Sequence, residues 1–158
     1  MEKLIIYKKL IVTLTYMQKP QESGWKLLLC YTKRRIGGNI MPTFYCYNRC
    51  STCRKAEKWL RDHEVTFEKI DLVATPPAAA DLQRWIQANQ ERGLRYFFNT
   101  SGQRYRELHL KDRIATLTIP EAAQLLASDG KLIKRPLMVE GDHVTCGFKE
   151  DIYTENWL

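Results

Sequence analysis

Residues 43–47 read TFYCY, a short run of aromatic and β-prone positions that predicts a buried strand. Beyond the cysteine-bearing turn that follows, Ala56, Trp59 and Leu60 fall at helical spacing. Arg54, Lys55, Lys58 and Arg61 occupy the opposite, wet side, and Ser51 or Thr52 is placed to cap this helix. VTFEKIDL (65–72) alternates as a second strand. Thr75-Pro76-Pro77 punctuates the chain, with proline suited to the first turn of a helix. The next segment, AAADLQRWIQANQERG, puts Leu82, Trp85 and Ile86 on one face, and Gly93 ends it. FFNTSGQRYREL (97–108) contains a turn at Asn99–Gly102. Pro120 opens a helix through EAAQLLAS, which Asp129-Gly130 stops. LMVE, Gly141-Asp142 and HVTCGF make a hairpin, and DIYTENWL has room for a turn or two of helix.

The order is therefore β-α-β, a helical insert, β-β, α. Two strands joined by a helix form a parallel βαβ unit, and the last two strands an antiparallel hairpin. The resulting fold class is α/β, a mixed four-stranded sheet flanked by helices, with the helical insertion between strands 2 and 3.

Charge changes the picture only at the N-terminus. Residues 1–40 carry eight Lys/Arg against two Asp/Glu, while residues 41–158 carry seventeen against sixteen. Of the overall charge of +7, +6 thus belongs to the first forty residues, and the near-neutral body offers no basic face for nucleic acid. MEKLIIYKKLIVTLTYM has a lysine-bearing start and an apolar stretch, but Lys8 and Lys9 interrupt it and no small-residue cleavage site follows closely. Met41 directly precedes the first strand, and the codons of Gly37-Gly38 can spell a ribosome-binding sequence. The expectation is that 1–40 is a translated leader or disordered extension and that 41–158 is the domain. No apolar run approaches the length that crosses a bilayer, so no membrane association is expected.

The candidate chemistry sits in YNRCSTCRKAEKWL (47–60). Cys50 lies at the start of the predicted helix, where unpaired backbone N–H groups and the helix dipole favour a thiolate. Arg49 and Arg54 add positive charge, and Cys53, one turn on, is within reach of Cys50 for a disulfide. A CxxC after the first strand of a βαβ pattern reads as a thioredoxin-like redox motif. Two other readings stand beside it. Zinc needs four ligands, usually as two pairs, and Cys30, Cys46 and Cys146 supply no second pair. Two inert buried thiols are the other alternative. Cys46 and Cys146 alternate within strands and read as core residues. His63, His109 and His143 are scattered and read as surface residues, and no metal site is expected.

FYCYNRCSTCRKAEKWL, FFNTSGQRYREL and LIKRPLMVEGDHVTCGF together resemble the arsenate reductase (ArsC)/Spx family of the thioredoxin-like superfamily, from Met41 to the C-terminus. The resemblance implies a thioredoxin-like fold with an inserted helical segment and a cis peptide at Arg135-Pro136, facing the cysteine loop. It implies Cys50 as nucleophile and Arg135 as one of three arginines around an oxyanion. The other two positions hold Asn99 and Gly147, and Arg95 and Arg104 lie at unmatched positions. An oxyanion needs several charge-assisted donors, so these departures weigh against arsenate as substrate.

The function expected on these grounds is a cytoplasmic thiol-disulfide oxidoreductase, acting as a monomer. Cys50 attacks, Cys53 resolves, and Arg54 and Arg135 support the thiolate or an anionic substrate. Glutathione, glutaredoxin or thioredoxin are the electron donors that the resemblance implies, with a small thiol or redox protein as partner and no bound cofactor. The alternative is an Spx-like redox-sensing regulator that binds the α subunit of RNA polymerase without contacting nucleic acid itself.

Overall fold

The computed structural model describes residues 41–158 together with the backbone of Arg35–Ile36 and Asn39–Ile40. The sheet and its helices belong to the unit Asn39–Leu158. The expectation of a leader over residues 1–40 falls almost entirely outside the described residues.

Four strands form one mixed sheet: β1 (Thr43–Cys46), β2 (Glu68–Asp71), β3 (Leu137–Glu140) and β4 (His143–Cys146), in the spatial order β2-β1-β3-β4. β1 pairs in parallel with β2 and antiparallel with β3, and β3 pairs antiparallel with β4. Helix α1 (Ser51–Asp62) makes the crossover between β1 and β2. The insert between β2 and β3 holds α2 (Ala79–Ala88), α3 (Gln103–Glu107), α4 (Leu110–Arg113) and α5 (Ile119–Ser128), and α6 (Glu150–Trp157) closes the chain.

Strand alternation sorts the core into two layers. Phe44, Cys46 and Met138 face α1 and α6, where they meet Cys53, Ala56, Trp59, Leu60, Tyr153 and Trp157. Tyr45, Leu137, Val139 and Val144 face the insert, against Leu82, Trp85 and Ile86 of α2 and Ala122, Ala123 and Leu126 of α5. The buried Trp157 indole donates to Thr145 Oγ1 at 3.0 Å and so ties α6 to the edge strand.

The expected elements are all present, with local differences. The second strand pairs only over Glu68–Asp71, because Glu64 turns at φ 57° and Val65 N–H is used by the Leu60 carbonyl, 2.9 Å away. Pro76 and Pro77 precede α2 rather than entering it, since Ala78 is the cap. α2 ends at Ala88, and a tight turn over Gln90–Arg92 carries the chain to Gly93 at φ 69°. α5 begins at Ile119 behind Thr118, which forms a reciprocal capping box with Glu121. The short α4 has no counterpart in the sequence pattern. Its start follows His109 in a left-handed conformation, φ 49° and ψ 39°, which side-chain periodicity does not signal.

Candidate functional site

The end of β1 delivers the chain into a tight turn in which Cys50 N–H bonds to the Tyr47 carbonyl at 2.9 Å. Cys50 itself is the N-cap of α1, extended at φ −91° and ψ 119°, and its carbonyl accepts the first helical bond from Arg54 N–H at 3.2 Å. This corrects the expectation that Ser51 or Thr52 caps the helix. No side chain caps it, and no acid lies in its first turn. The turn pulls the helix start back to the cysteine, and the free N–H groups of the first turn are left to the thiol.

Partial burial alone would raise the Cys50 thiol. The backbone N–H of Cys53, the Cys53 thiol, the backbone N–H of Thr52 and the charge of Arg135 outweigh it and hold the thiol below its ordinary value of 9.0. Cys53 is its opposite. It lies on the buried face of α1, 2% exposed, with its sulfur accepting the Tyr47 N–H at 3.4 Å. Burial pushes its thiol up to about 12. One cysteine is therefore built to ionise at the surface and the other to stay protonated beneath it. The described cysteines are all free thiols.

Arg135 arrives from the loop before β3. Its peptide bond to Pro136 is cis, and the register that sets Tyr45 opposite Leu137 brings this loop beside the cysteine turn. The Arg135 guanidinium lies over the Tyr47 ring, 5.2 Å from its centre. Both line a cleft of about 550 Å³ with Lys131 and the Asn99–Gln103 turn. Asn99 is held there by a bond from Nδ2 to the Lys131 carbonyl, 3.2 Å. Arg104 also lines the cleft, but its guanidinium is tied to Glu107 at 2.8 Å and Asp129 at 2.9 Å. Arg95 lines a separate cleft with Tyr105 and His109. Gly147 sits at φ 85°, with the Lys134 side chain against it.

Cys50, Cys53 and Arg135 thus come together. Arg54 is on the exposed side of α1, its Nη1 donating to the Asn48 carbonyl at 3.5 Å, and Arg49 is exposed on the turn. Cys146 lies apart under the hairpin, its N–H bonded to Tyr96 Oη at 3.0 Å and its thiol pushed up to about 12 by burial. All three histidines are exposed. Among the described residues no three His, Cys, Asp or Glu side chains converge on a point where a metal ion could sit. Sequence reasoning missed Tyr47 and Lys131. Tyr47 offers a signal in its place at the strand exit before the CxxC, whereas Lys131 offers none, because only the return of the 129–135 loop carries it to the site.

The ArsC family model matches residues 45–156. The chain is 48% identical over 115 residues to YusI of Bacillus subtilis, covering 73% of this chain and 97% of that protein. It is 31% identical to the global transcriptional regulator Spx 1 of Lactococcus lactis, over 70% of this chain and 84% of the regulator. A crystal structure described as a possible arsenate reductase from Streptococcus mutans superposes with a TM-score of 0.67 at 47% identity, over 71% of this chain and 97% of that one. The sheet order, the CxxC at the helix start, the Arg-Pro loop and these matches agree: the chain belongs to the ArsC family, which has a thioredoxin-like α/β fold and includes the Spx regulators.

Proposed function

We propose that the protein is a thiol-disulfide oxidoreductase working through Cys50 and Cys53. The observation that carries this reading is the split between the two thiols, one lowered at an uncapped helix start and one raised to about 12 beneath it. The Cys50 thiolate attacks a substrate disulfide, and one substrate thiol leaves. Cys53 then gives up its proton and attacks Cys50 in the mixed disulfide, so the second substrate thiol leaves and a Cys50–Cys53 bridge remains. Two electrons pass from the protein to the substrate, and glutathione, glutaredoxin or thioredoxin returns them. In a reducing cytoplasm the bridge is transient. Arg135 supports the thiolate and an anionic part of the substrate in the cleft, with Arg54 as a further positive charge at the helix start.

Arsenate is not the substrate in this reading. The cleft offers Arg135 and Lys131 and holds Asn99 where a second arginine is implied. The test is reduction of a small disulfide, bis(2-hydroxyethyl) disulfide, coupled to glutathione or to thioredoxin. Turnover should be lost in Cys50→Ser and strongly reduced in Cys53→Ser. Equal rates in wild type and Cys50→Ser would sink the proposal. The 31% identity to Spx 1 favours a second reading, a redox-controlled regulator that binds RNA polymerase. Capture of the polymerase α subunit by the protein, with no disulfide turnover, would select that reading.

A further inference from the structure

Three thiols, not two, meet at the head of α1. Strand alternation turns Cys46 toward α1, on the same face as Phe44. Cys46 and Cys53 share one core cluster with Ala56 and Met138, and Cys50 packs at its margin. The Cys53 sulfur accepts the N–H of Tyr47, 3.4 Å away, and so rests against the peptide bond that leaves Cys46. Negative charge on Cys50 raises Cys46, and negative charge on Cys46 raises Cys53, so both neighbours of Cys46 are within electrostatic reach.

We propose that Cys46 is a third redox thiol, which displaces Cys50 from the Cys50–Cys53 bridge to leave a buried Cys46–Cys53 disulfide and a free Cys50. This rests on the Cys50–Cys53 chemistry proposed above. Cys46 loses its proton and its sulfur attacks that of Cys53. The Cys46–Cys53 bond forms as the Cys50–Cys53 bond breaks, and Cys50 leaves as a thiolate or takes up a proton. No electrons are gained or lost in this exchange, because the substrate disulfide that made the first bridge was the oxidant. The direction is set by the leaving group. Cys50 is the thiol the site holds low, whereas burial raises both Cys46 and Cys53, so exchange releases the stabilised thiolate and keeps the two poor leaving groups joined. Cys46 and Cys53 are each 2% exposed, so external thiols meet Cys50 first and the inner bridge is shielded. The protein then holds the two-electron oxidation inside while its surface nucleophile is ready again.

The sequence makes the test direct. Trypsin cleaves after Arg49 and Arg54, which leaves Cys50 and Cys53 on one peptide and Cys46 on another. The full chain is oxidised with one equivalent of diamide, quenched in acid at intervals, denatured, alkylated with N-ethylmaleimide and digested. Expected is an early bridge within the Cys50–Arg54 peptide that gives way to a cross-peptide Cys46–Cys53 bridge with Cys50 alkylated. Cys46→Val should lose the second species entirely and stop at the first. An intrapeptide bridge that persists while Cys46 is recovered alkylated would overturn the relay and leave the Cys50–Cys53 reading intact. A cross-peptide bridge to Cys50 instead of Cys53 would also overturn the relay. The absence of every bridge would overturn both proposals.

Discussion

Alkylation of the reduced protein separates the two roles quantitatively. At pH 7.5 an ordinary thiol with a value of 9.0 is about 3% thiolate. Cys50 lies below that value, so its thiolate fraction is higher. Cys53, pushed up to about 12, is ionised about a thousandfold less than a thiol at 9.0. A high-pKa thiolate is intrinsically the better nucleophile, with a Brønsted slope of about 0.4–0.5, and this returns roughly a factor of 20–30. The net preference for Cys50 from ionisation alone is therefore about 30-fold or more, and the burial of Cys53 widens it. The assay is limiting iodoacetamide over a time course, with fragmentation of the Cys50–Arg54 peptide to place the label. As pH rises, deprotonation increases the Cys50 rate, which should level off at lower pH than for a free cysteine. In Arg135→Gln, the loss of a charge that lowers Cys50 should move that plateau to higher pH. Cys53 labelling as fast as Cys50 at pH 7.5 would refute the assignment of nucleophile and resolving thiol.

The same geometry sets three further outcomes. In Gly130→Ala the new Cβ would lie 1.9 Å from the Leu72 carbonyl oxygen, so backbone must shift, and urea unfolding should show a loss of about 1–3 kcal/mol or more. In Thr145→Val the Trp157 indole N–H loses its buried partner, and the same assay should show a loss of about 1–3 kcal/mol with the fold retained. Arsenite production, with either glutathione and glutaredoxin or thioredoxin, should stay far below the usual enzyme scale of about 1–10³ per second, since each missing anion donor costs about two to three orders of magnitude in rate.

The sheet was legible because its strands carry their own pattern. TFYCY and LMVE are short runs that are mostly buried, and HVTC reads polar and apolar by turns although only His143 of β4 is exposed. α1 was legible from Ala56, Trp59 and Leu60, all of which are buried. The insert was less so. α3 and α4 are short, and they are fixed by the Tyr105 and Leu110 contacts to the core and the left-handed turn at His109, neither of which has a periodic signature. Gly130 shows the same limit in one residue. Its place after a helix reads as a stop signal, yet the structure shows a close pass over the Leu72 carbonyl that no side chain could share.

The site divides along the same physical line. The CxxC could be placed at a helix start from local sequence, since strand, turn and helix are contiguous there. The choice of Cys50 as the cap could not, because Ser51 and Thr52 are better capping residues in isolation. It is the Tyr47–Cys50 turn that decides, by committing the Cys50 N–H to the Tyr47 carbonyl before the helix begins. A side-chain cap would satisfy N–H groups that here remain for the thiolate, so the poorer cap makes the better nucleophile. The same turn directs the Tyr47 N–H onto Cys53, which couples the buried thiol to the strand that carries Cys46. A cysteine at this buried position, where a small aliphatic residue of similar volume would also pack, converts a packing position into one with chemistry. Replacing Cys46 by Val separates the two contributions: packing is retained, and whatever redox behaviour is lost belongs to the sulfur.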